Sequence, residues 1–172
     1  MIRYLTAGES HGRSLTGIVE GVPAGLAVSS EYINHQLHRR QLGYGRGGRM
    51  RIEKDVVEIV SGVRFGRTIG GPITLVIRNA DHANWLAAMA VEGDPSGVEP
   101  VVIPRPGHAD YVGAVKYGFD DIRNVIERAS ARETAMRVAC CTVVRKLLEE
   151  VGIFVGSHVV AIGPASLMDR SA

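Results

Sequence analysis

The stretch that most constrains the fold is "SARETAMRVACCTVVRKLLEEVG", residues 130–152. Ser130 and Glu133 have the spacing of a capping box, which predicts that a helix begins at Ser130, and Gly152 marks its expected end. Within this segment "VACCTVV" is apolar on nearly every side. Because a helix of this kind is normally buried on several faces, we expect it to lie between layers of other structure, covered by sheet.

Other segments predict the elements that would cover this helix. The segment "SSEYINHQLHRRQLG" (29–43) has a Ser cap, apolar residues at helical spacing, arginines in the last turn and a terminal glycine, which together predict a second helix. Three β-branched runs bounded by glycine predict strands: "SLTGIVEGVPAG" (14–25), "VVEIVSGVRFG" (56–66) and "PITLVIRN" (72–79). The acidic, Gly- and Pro-rich "MAVEGDPSGVEP" (89–100) predicts a surface loop. The expected fold class is therefore α+β.

Composition narrows the class of protein. The 172 residues are 45% hydrophobic and 22% charged, which is typical of one globular domain and not of a disordered chain. A formal charge of +2 is too small to indicate bulk binding to nucleic acid or membrane. Only three of the 20 basic residues are lysines, and arginine is the residue suited to forked recognition of carboxylate and phosphate.

The cysteines and the apolar runs bear on location. Cys140 and Cys141 are adjacent in a helical pattern, so no disulfide framework is readable and a reducing compartment, the cytoplasm, is expected. The first ten residues carry no long apolar run, and nowhere do 18 apolar residues follow one another. The sequence therefore predicts neither a signal peptide nor a membrane span.

A short polar segment, "TAGESHGRSLTG" (6–17), sets Glu9, Ser10 and His11 side by side between two glycines. Flanking glycines favour a tight, exposed turn in which the backbone can approach a ligand closely. Such a turn would present a carboxylate, a hydroxyl and an imidazole to one small volume. A solvent-facing turn without chemistry is the alternative interpretation, because loops collect polar residues.

A basic loop, "RRQLGYGRGGRMR" (39–51), interleaves five arginines with four glycines. Flexible backbone donors and guanidinium groups can meet the lone pairs of an oxyanion together, so the loop is a candidate phosphate site. Its spacing matches neither a Walker A motif nor G-x-G-x-x-G. A solvated basic loop and a nucleic-acid patch are the competing interpretations.

Two further segments carry candidate residues. In "PRPGHADY" (104–111), His108 follows a Pro-Gly turn and stands near Asp110, a carboxylate that could fix its tautomer. In "VIERASARETAMRV" (125–138), Arg128 precedes the predicted helix start at Ser130, where backbone N–H groups favour an anion; Arg132 is an alternative second cation. No metal site is predicted, and no role is assigned to the remaining histidines, His35, His38, His82 and His158.

Five blocks in this order, "GESHGRSLTGIVEGVP", "RRQLGYGRG", "RPGHADY", "KYG" and "SARETAMRVA", closely resemble chorismate synthase over essentially the whole chain. The resemblance implies a β-α-β sandwich around a central buried helix. It also implies a flavin-dependent lyase in which 5-enolpyruvylshikimate 3-phosphate loses phosphate and a ring proton by anti-1,4 elimination, giving chorismate. The resemblance further implies a requirement for reduced FMN without net redox change, with NADPH as a candidate source of the reducing equivalents.

The resemblance also implies roles for individual residues. His11 resembles the histidine that protonates the departing phosphate, and His108 the one that protonates the anionic reduced flavin. Ser10 and Glu9 either orient His11 or bind a ring hydroxyl of the substrate. The remaining matched positions belong to two groups, namely Arg40, Arg46 and Arg49 for NADP or substrate phosphate, and Arg128, Ala129 and Ser130 for FMN.

The sequence departs from the family pattern in two places. Ala129 stands where the family usually has a first serine, and "VIE" replaces a glycine run. The family's C-terminal Arg-x-Asp block is absent, so residues 1–172 are expected to be the N-terminal part of a single domain, incomplete at the C-terminus and inactive alone. The full enzyme is expected to be a cytoplasmic homotetramer. A non-catalytic module that binds anions or nucleic acid through the Arg/Gly loop is the alternative function.

Overall fold

A computed structural model describes residues 1–43 and 52–167 of the chain. Its elements follow in the order β1 Arg3–Gly8, β2 Ser14–Glu20, α1 Ser30–Gln41, β3 Val57–Ser61, β4 Val63–Arg64, β5 Arg67–Thr68, β6 Ile73–Arg78, α2 Asp110–Tyr117, α3 Arg123–Arg128, α4 Glu133–Glu150, β7 Ala161–Ile162 and β8 Ala165–Ser166. Short 3₁₀ turns occupy Ala80–Asn84 and Pro95–Gly97. The second of these turns lies in the predicted surface loop, most of which is exposed.

The main sheet has four antiparallel strands in the order β1-β2-β6-β3. The predicted strands at 14–25 and 72–79 are confirmed as β2 and β6. The run at 56–66 divides at Gly62, whose φ of +81° ends β3 and opens the β4-β5 hairpin. β1 was missed because its side chains are mostly exposed and show no buried alternation.

The long apolar helix is α4, and it packs against one face of this sheet together with α1. Its buried stripe lies against β2 and is continuous with the main hydrophobic core; it consists of Ala135, Met136, Ala139, Cys140 and Val143. The strand face beneath it carries Gly17, where an added Cβ would come within 2.4 Å of the Cys140 sulfur. The opposite face of α4 carries the exposed Cys141 and lines an open groove. Sheet therefore covers α4 on one side within the ranges described.

The predicted capping box at the start of α4 is wrong. The helix begins at Glu133 with Arg132 in the N-cap position, and no side chain caps it. Ser130 lies one turn earlier, and the Glu133 carboxylate accepts hydrogen bonds from Thr6 and Arg137 instead of reaching back to the backbone. Ser130 contacts the distant Ser10 hydroxyl and Glu133 contacts the distant Thr6 hydroxyl, so neither side chain makes the bond that a capping box requires.

The Ser cap predicted for α1 is confirmed. The Ser29 hydroxyl accepts a hydrogen bond from the Tyr32 backbone N–H at 3.2 Å. Ile33 and Leu37, four residues apart, are completely buried and attach the helix to the core.

A buried ionic cluster joins the start of α4 to the sheet. Arg132, 5% exposed, donates to Asp55 and, at 2.9 Å, to the side-chain oxygen of Asn79. Its second terminal nitrogen lies 3.6 Å from Glu53. Asp55 accepts a further hydrogen bond from Arg40 at 3.1 Å, so one buried carboxylate serves guanidinium groups from two helical segments. The cluster fixes the end of β6, the start of α4 and the end of α1 relative to one another.

None of the helices described here is both long enough and apolar enough to span a membrane.

The contact at Gly17 predicts a matched pair of stability changes. Gly17→Ala places a methyl group 2.4 Å from Cys140 Sγ and 2.6 Å from Met136 Sδ, so these buried side chains or the helix that carries them must shift. We expect the free energy of unfolding to fall by about 1–3 kcal/mol, as is typical of an overpacked core. Gly97→Ala meets nothing within 4 Å and should change it by less than about 0.5 kcal/mol. Urea unfolding followed by circular dichroism measures both, and equal values would contradict this packing.

The buried cluster predicts an asymmetry between two carboxylates. Asp55→Asn leaves the Arg132 and Arg40 guanidinium groups without their shared charge partner, and breaking a buried pair costs about 3–5 kcal/mol. Glu58→Gln removes an exposed pair with Arg78 and should cost about 0–1 kcal/mol. The two variants can be compared by thermal unfolding. Equal melting temperatures would show that the cluster does not hold these elements together.

Candidate functional site

The Asn79 side chain holds the polar turn between β1 and β2 from beneath. Asn79 donates through its side-chain nitrogen to the carbonyl oxygens of Glu9, at 3.0 Å, and Gly12, at 2.7 Å. At Gly8, φ is +102° and an added Cβ would meet the Ser14 carbonyl at 2.3 Å, so this position requires glycine. Residues 9–13 therefore form a fixed hairpin loop and not a mobile surface turn.

Within this loop His11 is bound by Glu127 of α3. The carboxylate contacts the backbone N–H of His11 at 2.7 Å and Nδ1 of its ring at 2.7 Å, one oxygen to each. Glu127 is 3% exposed, whereas the imidazole keeps 19% of its surface accessible. The ring is thus anchored through one nitrogen and still reachable by solvent or a ligand.

The other side of the His11 ring faces the 3₁₀ turn that follows β6. The Trp85 ring stacks on the imidazole with centroids 3.9 Å apart. Asp81 places a carboxylate oxygen 4.0 Å from His11 Nε2, and that oxygen accepts a hydrogen bond from Trp85 Nε1 at 3.0 Å. The imidazole is therefore flanked by a carboxylate near each nitrogen.

Ser10 joins the hairpin loop to the connection between α3 and α4. Its hydroxyl lies 2.9 Å from the Ser130 hydroxyl, and its backbone N–H donates to the Glu127 carbonyl at 3.0 Å. Ser10 is 2% exposed and Ser130 is half-buried, so this junction is only partly accessible. Two segments 120 residues apart in the sequence thus meet at adjacent hydroxyl groups.

Beside this junction lies an open cleft of about 530 Å³. Two arginines, two hydroxyl side chains, two alanines, one carboxylate and one histidine line it: Arg128, Arg137, Ser130, Thr134, Ala129, Ala131, Glu133 and His108. The structure therefore brings together His108 and the three residues matched to a flavin-binding segment.

The charges in this cleft are arranged around one carboxylate. Glu133 accepts from Arg128, from Arg137 at 3.0 Å and from the Thr6 hydroxyl at 2.6 Å. Burial would raise the pKa of Glu133, but these hydrogen bonds outweigh burial and hold the pKa below its ordinary value. Two guanidinium groups share one negative charge, so the pair of arginines retains net positive charge for an anionic ligand.

Asp110, the carboxylate that could have fixed the tautomer of His108, is hydrogen-bonded by Arg105 instead. Asp110 is completely buried and accepts two hydrogen bonds from the Arg105 guanidinium, at 2.8 and 3.0 Å, and a third from the Arg105 backbone. These bonds lower the pKa of Asp110 to about 2. The carboxylate thus braces the turn that carries His108, whose side chain is exposed at the cleft.

The candidate arginines differ in their placement. Arg40 is largely buried and donates to the Ala131 carbonyl at 2.9 Å and the Thr134 hydroxyl at 3.2 Å, so it reaches the edge of the cleft. Arg132, considered as a second cation, is buried in the ionic cluster and does not line the cleft. Arg46 and Arg49 lie outside the described residues.

Among the histidines that were given no role, His82 contacts the site: its Nδ1 lies 3.0 Å from the His11 carbonyl oxygen. His35, His38 and His158 are exposed and line neither the cleft nor the hairpin loop. Over residues 1–43 and 52–167, no group of histidine, cysteine and acidic side chains could hold a metal ion.

Sequence reasoning missed Glu127, Asp81 and Trp85. Glu127 had a readable signal, because it stands in the "VIE" segment where the resemblance leads one to expect glycine. Trp85 is the single tryptophan of the chain, but nothing in its neighbourhood indicates that it stacks on a histidine 74 positions away.

The family model for chorismate synthase matches residues 2–172. The chorismate synthase of Aquifex aeolicus is 63% identical over 163 residues, which cover 94% of this chain and 41% of that protein. The chorismate synthase of a Sulfurihydrogenibium species is 58% identical over 171 residues, covering 99% of this chain and 44% of the relative.

A solved structure, described as the crystal structure of chorismate synthase, superposes with a TM-score of 0.73 at 45% identity, over 99% of this chain and 41% of the other. The chain therefore spans less than half the length of these relatives. The superposition confirms the expected α+β fold class. On sequence and fold together, the chain belongs to the chorismate synthase family.

Proposed function

We propose that residues 1–172 are the N-terminal part of a single chorismate synthase domain, contributing to the anti-1,4 elimination of phosphate from 5-enolpyruvylshikimate 3-phosphate. The observation that carries this proposal is the 2.9 Å contact between the Ser10 and Ser130 hydroxyls. That contact joins the loop bearing His11 to the cleft bearing His108 and Arg128. Proton donors and cations of the kind that phosphate elimination needs are thus adjacent.

The cleft residues fit reduced FMN. The cleft has a volume of about 530 Å³, which lies within the roughly 300–1,000 Å³ of ordinary ligand sites. Arg128 and Arg137 suit the flavin phosphate or an anionic ring, Ser130 supplies a hydroxyl, and Ala129 leaves room beside them. When bound, reduced FMN would supply electron density as the carbon–oxygen bond breaks and recover it as the ring proton leaves, so the reaction has no net redox change.

His11 acts in this proposal as the acid for the departing phosphate. As the carbon–oxygen bond breaks, its electron pair and the negative charge move onto the phosphate, so a nearby imidazolium lowers the barrier by proton donation and by charge. Glu127 holds the ring through Nδ1, and a carboxylate oxygen of Asp81 lies 4.0 Å from Nε2. Arg40, at the edge of the cleft, binds the substrate's anionic groups, with Arg46 and Arg49 assigned to the same site from the resemblance. Ser10, whose hydroxyl contacts Ser130, orients His11 or binds a ring hydroxyl of the substrate.

His108 acts on the flavin side in this proposal, where its exposed imidazole holds a proton for the anionic reduced flavin. NADPH is proposed as the source of reducing equivalents, the cytoplasm as the location and a homotetramer as the assembly of the complete enzyme. A small phosphorylated substrate is proposed as the ligand instead of nucleic acid. The family match favours this function over the alternative of a non-catalytic anion-binding module.

The proposal is tested by joining residues 1–172 to the part of the Aquifex aeolicus relative that lies beyond the matched region. With photoreduced FMN under anaerobic conditions, this chimera should convert 5-enolpyruvylshikimate 3-phosphate to chorismate. The intact relative serves as the positive control and the unfused chain is assayed beside it. A folded chimera without activity, beside an active relative, would contradict the proposal.

In the same chimera, His11→Ala should lower turnover by roughly 10²-fold or more, because removal of a positioned proton donor costs about 10²–10⁴. His35→Ala, on the exposed face of α1, serves as the matched control and should leave turnover unchanged. Steady-state kinetics and circular dichroism on both variants separate chemistry from folding. Unchanged turnover in a folded His11 variant would remove the residue from the acid role.

A further inference from the structure

Glu127, a buried residue of α3, contacts the hairpin loop through both its carboxylate and its backbone carbonyl. Its two carboxylate oxygens contact the backbone N–H and Nδ1 of His11, each at 2.7 Å, and its own carbonyl accepts from the Ser10 N–H. The side chain is 2% exposed. An ionised carboxyl buried to this extent is costly unless its lone pairs are used, and here each oxygen has a partner on the same residue.

We propose that Glu127 is a positioning residue that sets the tautomer and the ring orientation of His11. An ionised carboxylate can only accept hydrogen bonds, so contact with Glu127 requires that Nδ1 carries a proton. The nitrogen that exchanges a proton with a ligand is then Nε2. This inference rests on the proposed function for the identity of that ligand, but the tautomer itself belongs to the protein alone.

Orientation follows from three contacts of different kinds. The carboxylate holds the His11 backbone and its ring together, so rotation about the side-chain torsions would break a buried hydrogen bond. Trp85 stacks on the ring at 3.9 Å and prevents it from turning edge-on. Asp81 places a carboxylate oxygen at the opposite edge of the ring, 4.0 Å from Nε2, which is too distant for a hydrogen bond.

The element that carries Glu127 is itself fixed. Val125, on the same short helix, packs on Gly113 of α2, where an added Cβ would come within 2.3 Å of a valine methyl group. The Ser10–Ser130 contact joins the residue before His11 to a residue that follows Glu127 by three positions. Glu127 therefore has little freedom to follow His11 if the ring turns, which is what a positioning residue requires.

The first measurement needs no substitution. Histidine labelled with ¹⁵N in the 172-residue chain reports tautomers by long-range proton–nitrogen correlation, with His11 assigned by its loss in His11→Gln. In the neutral form we expect the proton on Nδ1. A neutral His11 protonated on Nε2 would overturn the proposal.

Glu127→Gln then tests the cause. A glutamine side chain has one acceptor oxygen, which cannot serve both the His11 N–H and Nδ1; with that oxygen on the backbone donor, its NH₂ group faces Nδ1. The neutral ring should therefore change to the Nε2-protonated tautomer. Glu127→Asp keeps a carboxylate and should keep the Nδ1 proton. The matched control is Glu149→Gln, because the Glu149 carboxylate binds Tyr32 and Arg145 at the far end of α4. An unchanged tautomer in Glu127→Gln would overturn the proposal.

In the chimera, Glu127→Gln should lower turnover by about 10–100-fold, as expected for loss of a partner that orients a functional group, with Glu149→Gln unchanged. Full turnover in Glu127→Gln with a changed tautomer would overturn the positioning role. If the unsubstituted chimera is inactive while the Nδ1 tautomer and its change are observed, the proposed function fails and the tautomer assignment stands. The two ideas therefore fail by different observations.

Discussion

The site depends on the hydrogen bonds and ion pairs made by the buried guanidinium group of Arg132. It binds Asp55 and the side chain of Asn79 at once, while Asn79 holds the carbonyl groups of the hairpin loop that bears His11. Through Asp55 the same network reaches Arg40. A charge this deeply buried is tolerated only when its partners are in place. The start of α4, the end of β6 and the hairpin loop therefore adopt their positions together.

The core was readable from the sequence where local pattern and tertiary packing agree. The glycine-bounded runs of β2 and β6 and the Ser29 cap of α1 are such cases, since burial and local bonding favour the same structure. β1 was missed because an edge strand with exposed side chains lacks alternation. The capping box at Ser130 was wrong because its hydroxyl contacts Ser10, a partner 120 residues away that no local pattern contains.

The sequence indicated which segments carry the candidate residues but not which side chains pair with one another. Glycines and polar residues marked the loop around His11, and the Arg128–Ser130 segment was recognised by its motif. Asp110 was considered as a partner of His108 because the two residues are close in sequence. The Arg105 guanidinium binds Asp110 instead, and closeness in sequence does not predict that choice of partner. The carboxylate that does hold a histidine is Glu127, 116 positions from His11. Such a pairing depends on how distant segments meet in the fold, and no local pattern in the sequence predicts it.

We propose that the hairpin loop and the α3–α4 connection form one ligand site. Titration of the ¹⁵N-labelled chain with photoreduced FMN under anaerobic conditions, followed through backbone amide resonances, tests this proposal. The amides of His11, His108 and Ser130 should shift together and saturate at the same FMN concentration. Shifts confined to a different surface, with these three amides unchanged at saturation, would contradict it.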